Sequence, residues 1–465
     1  MSLLDPLKKN HTFLLLESQV RVYSRHFPCH LVAAQGVEVI DTNGRRYFDF
    51  LAGAGSLNYG HNNPIIKSAL LDYIKNDGIT HSLDLQTVAK ERFLLAMSEI
   101  ILKPRKLDYV IQFTGPTGAN AVEAALKLAR KATGRTNVIA FTNAFRGVTS
   151  GALAATGNGY NRAVAGVPLY GTARLPFEGY LGENVDTVSY MDRLLSDPSS
   201  GFDLPAAVIV ETVQGEGGLN VASVGWLRRL QALCQEKKIL LIVDDIQAGC
   251  GRTGAFFSFE AAGIKPDIVT LSKSLSGYGL PLAVVLIRRD LDVWRPGEHN
   301  GTFRGNNHAF VTATATLEHY WRTPDFADGV GAKGEVLEQQ LRRMADRFSA
   351  EIVGVRGRSM MRGLRCKDPK RAAAVTARAF ARGLIIERCG PHDEVIKCMM
   401  PLTISRTEMQ QGLDILELAL ELEFNRAAAR RKISVSRPRK MRAMAAVAPV
   451  RVAAVANREQ PLTSV

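Results

Sequence analysis

The chain has 465 residues, 46% hydrophobic and 22% charged, with a formal net charge of +14. That length and balance suit a soluble protein with a large core spread over more than one domain. No apolar run approaches the roughly 18 residues of a membrane-spanning helix, which excludes a helical membrane protein. Near the start, Leu14-Leu15-Leu16 is cut by Glu17 before it reaches signal-peptide length, so a cytoplasmic location is expected. The six cysteines, Cys29, Cys234, Cys250, Cys366, Cys389 and Cys398, form no C-x-x-C pair, so neither a zinc site nor a disulfide framework is indicated and no metal is expected. Most of the positive charge is terminal: ten basic residues follow from Arg426 onward against the single acid Glu459. This stretch reads as a solvated, disordered tail over 429–465, and no nucleic-acid or membrane contact is expected of it.

In chain order, Val37–Asp41 and Arg46–Phe50 around Asn43-Gly44 predict a hairpin. Strands follow at Tyr109–Phe113, Val138–Phe141, Ala207–Glu211, Ile239–Asp244, Ile268–Ser272 and Ala283–Ile287. Between the first two, Val122, Ala125, Leu126 and Ala129 share one face of a helix over Ala121–Lys131. The alternation predicts an α/β fold with a mostly parallel sheet wrapped by helices. Farther on, Glu338–Phe348, Ala372–Arg382 and Glu408–Leu422 read as amphipathic helices. The expected division is a large domain over 66–325 and a smaller α+β domain built from both ends, 1–65 and 326–428.

Ligands of open α/β sheets bind beyond the carboxyl ends of the strands. Ile239-Leu-Leu-Ile-Val runs into Asp244-Asp245-Ile-Gln247, Asp267-Ile-Val-Thr-Leu-Ser272 into Lys273, and Ala207-Val-Ile-Val into Glu211. A lysine at the mouth of a buried strand has a depressed pKa, as a Schiff-base lysine requires. Small neighbours, Ser272, Ser274, Ser276, Gly277 and Gly279, leave room for a planar cofactor. Pyridoxal phosphate needs such an amine and a carboxylate opposite its pyridine nitrogen. Thr114-Gly-Pro-Thr117-Gly118-Ala119-Asn120, between a strand and a helix, is a candidate phosphate cradle. Each feature alone has a plainer explanation: a snorkelling surface lysine, an aspartate helix cap and a capped tight turn.

Together these residues resemble the class III, fold-type I aminotransferases over 17–425. Asp244-Asp245-Ile-Gln247-x-Gly-x-Gly-Arg252-Thr253-Gly254 is similar to that family's D-E-x-Q-x-G-x-G-R-T-G. Leu271-Ser-Lys273 matches its cofactor-lysine motif, and Glu211-Thr-Val-Gln214-Gly-Glu216-Gly-Gly its E-P-x-Q-G-E-G-G. Within the class, segments 53–63, 75–84, 114–123 and 301–307 resemble the branch that acts on L-2,4-diaminobutyrate and 2-oxoglutarate, as in ectoine biosynthesis. The resemblance therefore implies an enzyme of small amino-acid and 2-oxo-acid substrates.

It also implies roles for single residues. Lys273 would bind pyridoxal phosphate and shuttle protons, while Asp244 would hold the pyridinium. Gln247 would sit near the ring hydroxyl, Phe145 would stack on the ring, and Glu211 would belong to the cofactor site. Thr117, Gly118 and Ala119 would bind phosphate, and Thr302 would reach the phosphate of a neighbouring subunit, implying at least a homodimer. Asn58 and Tyr59 are expected at the substrate. Two positions depart from the family. Phe145 is followed by Arg146-Gly147 instead of His-Gly, and Arg146 is expected to contact phosphate, the alternative being a solvent-facing side chain. Lys397 stands where many members have an arginine that pairs with the counterpart of Glu216 until a substrate carboxylate displaces it. A looser Lys397–Glu216 switch is expected, because lysine lacks the bidentate fork. The alternatives are a class III enzyme for ornithine, acetylornithine or 4-aminobutyrate, and a nucleic-acid-binding protein led by the basic tail.

Overall fold

The structure is a computed structural model and describes residues 9–424, so the basic tail lies outside the described residues. Its strands run β1 Leu31–Gln35, β2 Glu38–Asp41, β3 Arg46–Asp49, β4 Tyr109–Phe113, β5 Val138–Phe141, β6 Thr172–Leu175 and β7 Ala207–Val210. Two short strands follow, β8 Val213–Gln214 and β9 Asn220–Val221, then β10 Leu240–Asp244, β11 Ile268–Leu271 and β12 Val284–Arg288. The last five are β13 Ile352–Arg358, β14 Met361–Cys366, β15 Leu384–Ile385, β16 Glu387–Cys389 and β17 Val395–Cys398.

Seven strands form the central sheet in the order β4-β12-β11-β10-β7-β5-β6. It is parallel except around β12, which runs antiparallel to both neighbours. β5, β7, β10 and β11 are buried along their whole length, as expected of strands covered on both faces. The helix Gly118–Thr133 packs Val122, Ala125, Leu126 and Ala129 against this sheet in one core, and stops at Gly134, whose φ of 69° suits a left-handed cap. The edge strand β6 was not foreseen: Thr-Ala-Arg-Leu has too little apolar character to read as a strand, and it exists through its parallel pairing with β5.

Both chain ends enter a second core. β2 and β3 form the expected antiparallel hairpin, and β15 joins β3 in parallel with Leu384 opposite Phe48. Phe50 packs in one apolar cluster with Leu341, Leu364, Ile396 and Leu413. The approach is close: a Cβ on Gly412 would lie 2.2 Å from Phe50 Cζ. The helix foreseen at Glu338–Phe348 begins at Asp325, because glycines 329, 331 and 334 hide its first half. Gly334 is needed there, since a Cβ would meet Ser359 Cα at 2.8 Å. β13, β14, β17 and β16 make a separate antiparallel sheet, in which Glu387 lies directly opposite Lys397. No helix among the described residues is long and apolar enough to cross a membrane.

Candidate active site

Strand register brings the polar strand ends together. Val243 of β10 pairs with Val210 of β7, so Asp244 and Glu211 emerge side by side. Asp244 pairs with Thr270 of β11, and the chain turns three residues later at Lys273. Lys273 adopts a left-handed φ of 49°, a strain of ~1–3 kcal/mol for a residue with a side chain. Ser274 anchors the turn by donating to Gly55 O (2.7 Å) and accepting from Asn58 N (3.1 Å).

Two cavities share Lys273, Phe145 and Glu216. The inner one, about 170 Å³, is also lined by Gly118, Ala119, Asp244 and Gln247. The outer one, about 780 Å³, adds Tyr23, Glu387 and Arg388. Gly118 and Ala119 begin their helix, so their amides have no intrahelical acceptor. Thr117 caps the same helix at an exposed position, its hydroxyl donating to Asn120 Oδ1 (2.9 Å). Gln247 Nε2 donates to Glu216 Oε1 (3.0 Å) and Ala54 O (3.1 Å). A side chain on Gly215 would collide with Gln247, its Cβ only 1.7 Å from Oε1.

At the base of the inner cavity, Asp244 Oδ1 accepts from Thr270 Oγ1 (3.2 Å) and Ile246 N (3.3 Å). Its Oδ2 lies 3.2 Å from the Arg146 guanidinium, which also pairs with Glu211. The expectation that Arg146 contacts phosphate is therefore corrected: two buried carboxylates draw the cation to the strand ends. Glu211 in turn accepts from Phe145 N (3.2 Å) and Gly215 N (3.1 Å), holding the aromatic ring's loop in place. Burial pushes the Glu211 carboxyl above its usual range, opposed chiefly by Arg146.

Burial also pushes the Lys273 ammonium below the usual lysine range, with Glu216 opposing. The expected Lys397–Glu216 pair is present at 2.9 Å, and a third member joins it, Glu387 Oε1 at 3.0 Å from Lys397 Nζ. Burial alone would raise Glu216, but Lys397 and then Lys273 bring its pKa down to about 2. Burial disfavours the charged Lys397, yet Glu216 and Glu387 outweigh it and keep the ammonium well above its usual range.

Two expected residues lie elsewhere. Asn58 and Tyr59 are 1% and 2% exposed and line neither cavity, which corrects their placement at the substrate. Asn58 bridges Cys250 O (2.9 Å) and Arg252 (2.5 Å), while the Tyr59 hydroxyl accepts from Trp321 Nε1 (2.8 Å). Arg252 also donates to Met400 O (2.7 Å), so the Arg-Thr-Gly of the long motif ties the sheet loops to the second core. Thr302, expected at a neighbouring subunit's phosphate, is exposed, its carbonyl bonded to His81 Nε2 (2.8 Å). Among the cavity residues missed in the sequence are Tyr23 and Glu387. The signal for Glu387 was its position opposite Lys397, which depends on the β16–β17 register.

The donor set fits pyridoxal phosphate: an amine, a facing carboxylate, an aromatic wall and two free helix amides surround one chamber. Among the described residues, Arg146 Nε and NH2 and Gln247 Oε1 are buried without hydrogen-bond partners, so the chamber also holds polar capacity its own walls leave unused.

Fold and site define a cofactor-dependent enzyme whose chamber sits at the strand ends of an α/β sheet. The Aminotransferase class-III family model matches residues 20–420, and the chain belongs to that family. A diaminobutyrate–2-oxoglutarate transaminase of Vibrio parahaemolyticus is 57% identical over 405 residues, covering 87% of this chain and 96% of its own. One of the same name from Vibrio cholerae is 56% identical, covering 87% and 98%. Among solved structures, an ornithine aminotransferase of Toxoplasma gondii, described with partial occupancy of PLP at its active site, aligns with a TM-score of 0.78 at 27% identity. It covers 91% of this chain and 96% of its own.

Proposed function

We propose that the protein passes the 4-amino group of L-2,4-diaminobutyrate to 2-oxoglutarate, interconverting them with L-aspartate 4-semialdehyde and L-glutamate. The observation carrying this reading is the match, along almost the full length, to transaminases of that name. Pyridoxal phosphate is the cofactor. When bound, it supplies an aldehyde that takes up the amino group and a ring that disperses the electron pair left by a departing proton.

The chain's own residues account for the rest. Lys273 Nζ is the amine that would hold the cofactor, and burial favours its neutral, nucleophilic form. The same nitrogen would take a proton from the substrate carbon and return it. Asp244 would face the pyridine nitrogen and Phe145 the ring, while the amides of Gly118 and Ala119 would receive the phosphate. Lys397 would bind a carboxylate of the 2-oxo acid when Glu216 swings away, so one site serves substrates of different charge in alternate half-reactions.

The proposed setting is a cytoplasmic homodimer in which Thr302 of one subunit serves the phosphate site of the other, with ectoine formation as the first pathway to examine. The division into a large domain over 66–325 and a small one from both ends belongs to the same reading. The test is a half-reaction. L-2,4-diaminobutyrate alone should convert the bound cofactor's absorbance to that of its amine form, and 2-oxoglutarate should restore it. A cofactor that ignores diaminobutyrate and responds to ornithine or 4-aminobutyrate would overturn the substrate and keep the enzyme class.

A further inference from the structure

Glu387 has no place in the reaction described above. Its backbone lies opposite Lys397 across the β16–β17 pair, and both side chains are buried, Lys397 at 0% and Glu387 at 6% exposure. A buried ammonium needs one carboxylate to neutralise it, and Glu216 at 2.9 Å already provides that. Glu387, at 3.0 Å from the same nitrogen, leaves the trio with one negative charge in excess. Its carboxylate is held by that ammonium and lies within hydrogen-bond reach of the Tyr23 hydroxyl. Both carboxylates open onto the outer cavity, which Lys273 and the Tyr23 hydroxyl also line. Glu387 and Lys273 are near enough for each to shift the other's proton affinity.

A buried carboxylate whose charge is in surplus, open to the cavity beside the reacting amine, is a receptor for a cation. We infer that Glu387 receives the second ammonium group of a diamino-acid donor and thereby sets the preference for donors that carry one. This rests on the proposed transamination of a diamino acid. The terminal amine would be directed to Lys273, and the 2-ammonium, which keeps its charge throughout, would complete the Glu387–Lys397–Glu216 cluster.

L-2,4-diaminobutyrate and 4-aminobutyrate form a matched probe pair, since they differ only in the 2-ammonium. Glu387→Gln keeps shape and leaves Lys397 paired with Glu216. For the holoenzyme, E387Q should lower kcat/KM for diaminobutyrate by about 10- to 100-fold, the usual effect of a charge-assisted hydrogen bond. Values for 4-aminobutyrate, measured as substrate or as competitive inhibitor, should stay within about twofold. KM for 2-oxoglutarate should fall or hold, because Lys397 loses a competing anion. Calorimetric binding of the two amines to Lys273→Ala protein, with and without E387Q, reads the same preference without turnover. Glu387→Asp, which keeps the charge on a shorter arm, should retain part of the preference if E387Q folds poorly. Equal losses for both amines, or a raised KM for 2-oxoglutarate with the amine preference intact, would overturn the inference and leave Glu387 as a prop for Lys397. Wild-type protein that does not transaminate diaminobutyrate would instead overturn the proposed function on which the inference rests.

Discussion

Replacing Arg146 by methionine keeps much of the side-chain volume and removes the cation between Glu211 and Asp244. Arg146 is wholly buried, and both carboxylates are less than one-tenth exposed. Removing one partner of such a buried cluster costs ~3–5 kcal/mol, because the charges left behind have neither water nor a counter-ion. Protonation limits the loss. Burial already lifts the Glu211 pKa above its usual value, and Arg146 is the first influence opposing that rise, so the variant should lift it further. A carboxyl whose folded pKa exceeds its unfolded one contributes stability that is present at low pH and lost as pH rises through the folded pKa. The deficit of R146M should therefore widen with pH, from ~1–2 kcal/mol near pH 5.5 to ~3–5 kcal/mol near pH 8. Urea denaturation of both proteins at the two pH values, with saturating cofactor, measures it. A variant within about 1 kcal/mol of wild type at both would refute the view that Arg146 neutralises the strand ends.

Lys273→Ala should leave no cofactor adduct after borohydride reduction and lower turnover by ~10²–10⁴-fold or more; an adduct on another lysine would sink the assignment. Lys397→Met should raise KM for 2-oxoglutarate by ~10- to 100-fold, and an unchanged KM would remove Lys397 from carboxylate binding. Asp245 is fully buried, with Oδ1 unpartnered, and burial raises its pKa from 3.8 to about 7 despite hydrogen bonds from Ser258. Its protonated form therefore contributes stability below the unfolded value, lost as pH climbs to about 7. Asp245→Asn should flatten the stability curve across that window by a few kcal/mol, and a slope equal to wild type would refute it.

The two cavities divide the chemistry by position. Groups suited to the cofactor come from strand ends of one sheet, and the register of β7, β10 and β11 sets their spacing at fully buried strands. Groups proposed to read the substrate come from the other core, from β16 and β17 and the segment around Tyr23. Arg252 ties these two parts together through Asn58 and Met400. The motif that carries Asp244 and Gln247 thus also carries the residue that holds the substrate wall against the cofactor wall.

Local pattern was enough for the central strands, the helix after β4, and the strand-end positions of Lys273 and Asp244, because each follows from a short apolar run and the polar residue that ends it, whereas Gln247 and Phe145 came from the family resemblance. The family, too, was legible in contiguous motifs. Tertiary structure decided the rest wherever an outcome depended on a partner distant in sequence. Asn58 and Tyr59 look available in the chain, yet Arg252 and Trp321 engage them in the interior. Arg146 looks like an anion-binding loop residue until the adjacency of Glu211 and Asp244 turns it toward the sheet. Glu387 is ten residues from Lys397 and becomes its partner only through the register of a two-strand pair. A strand's existence is encoded locally, whereas the ion pairs across strands are encoded by register, and register is set by the whole core.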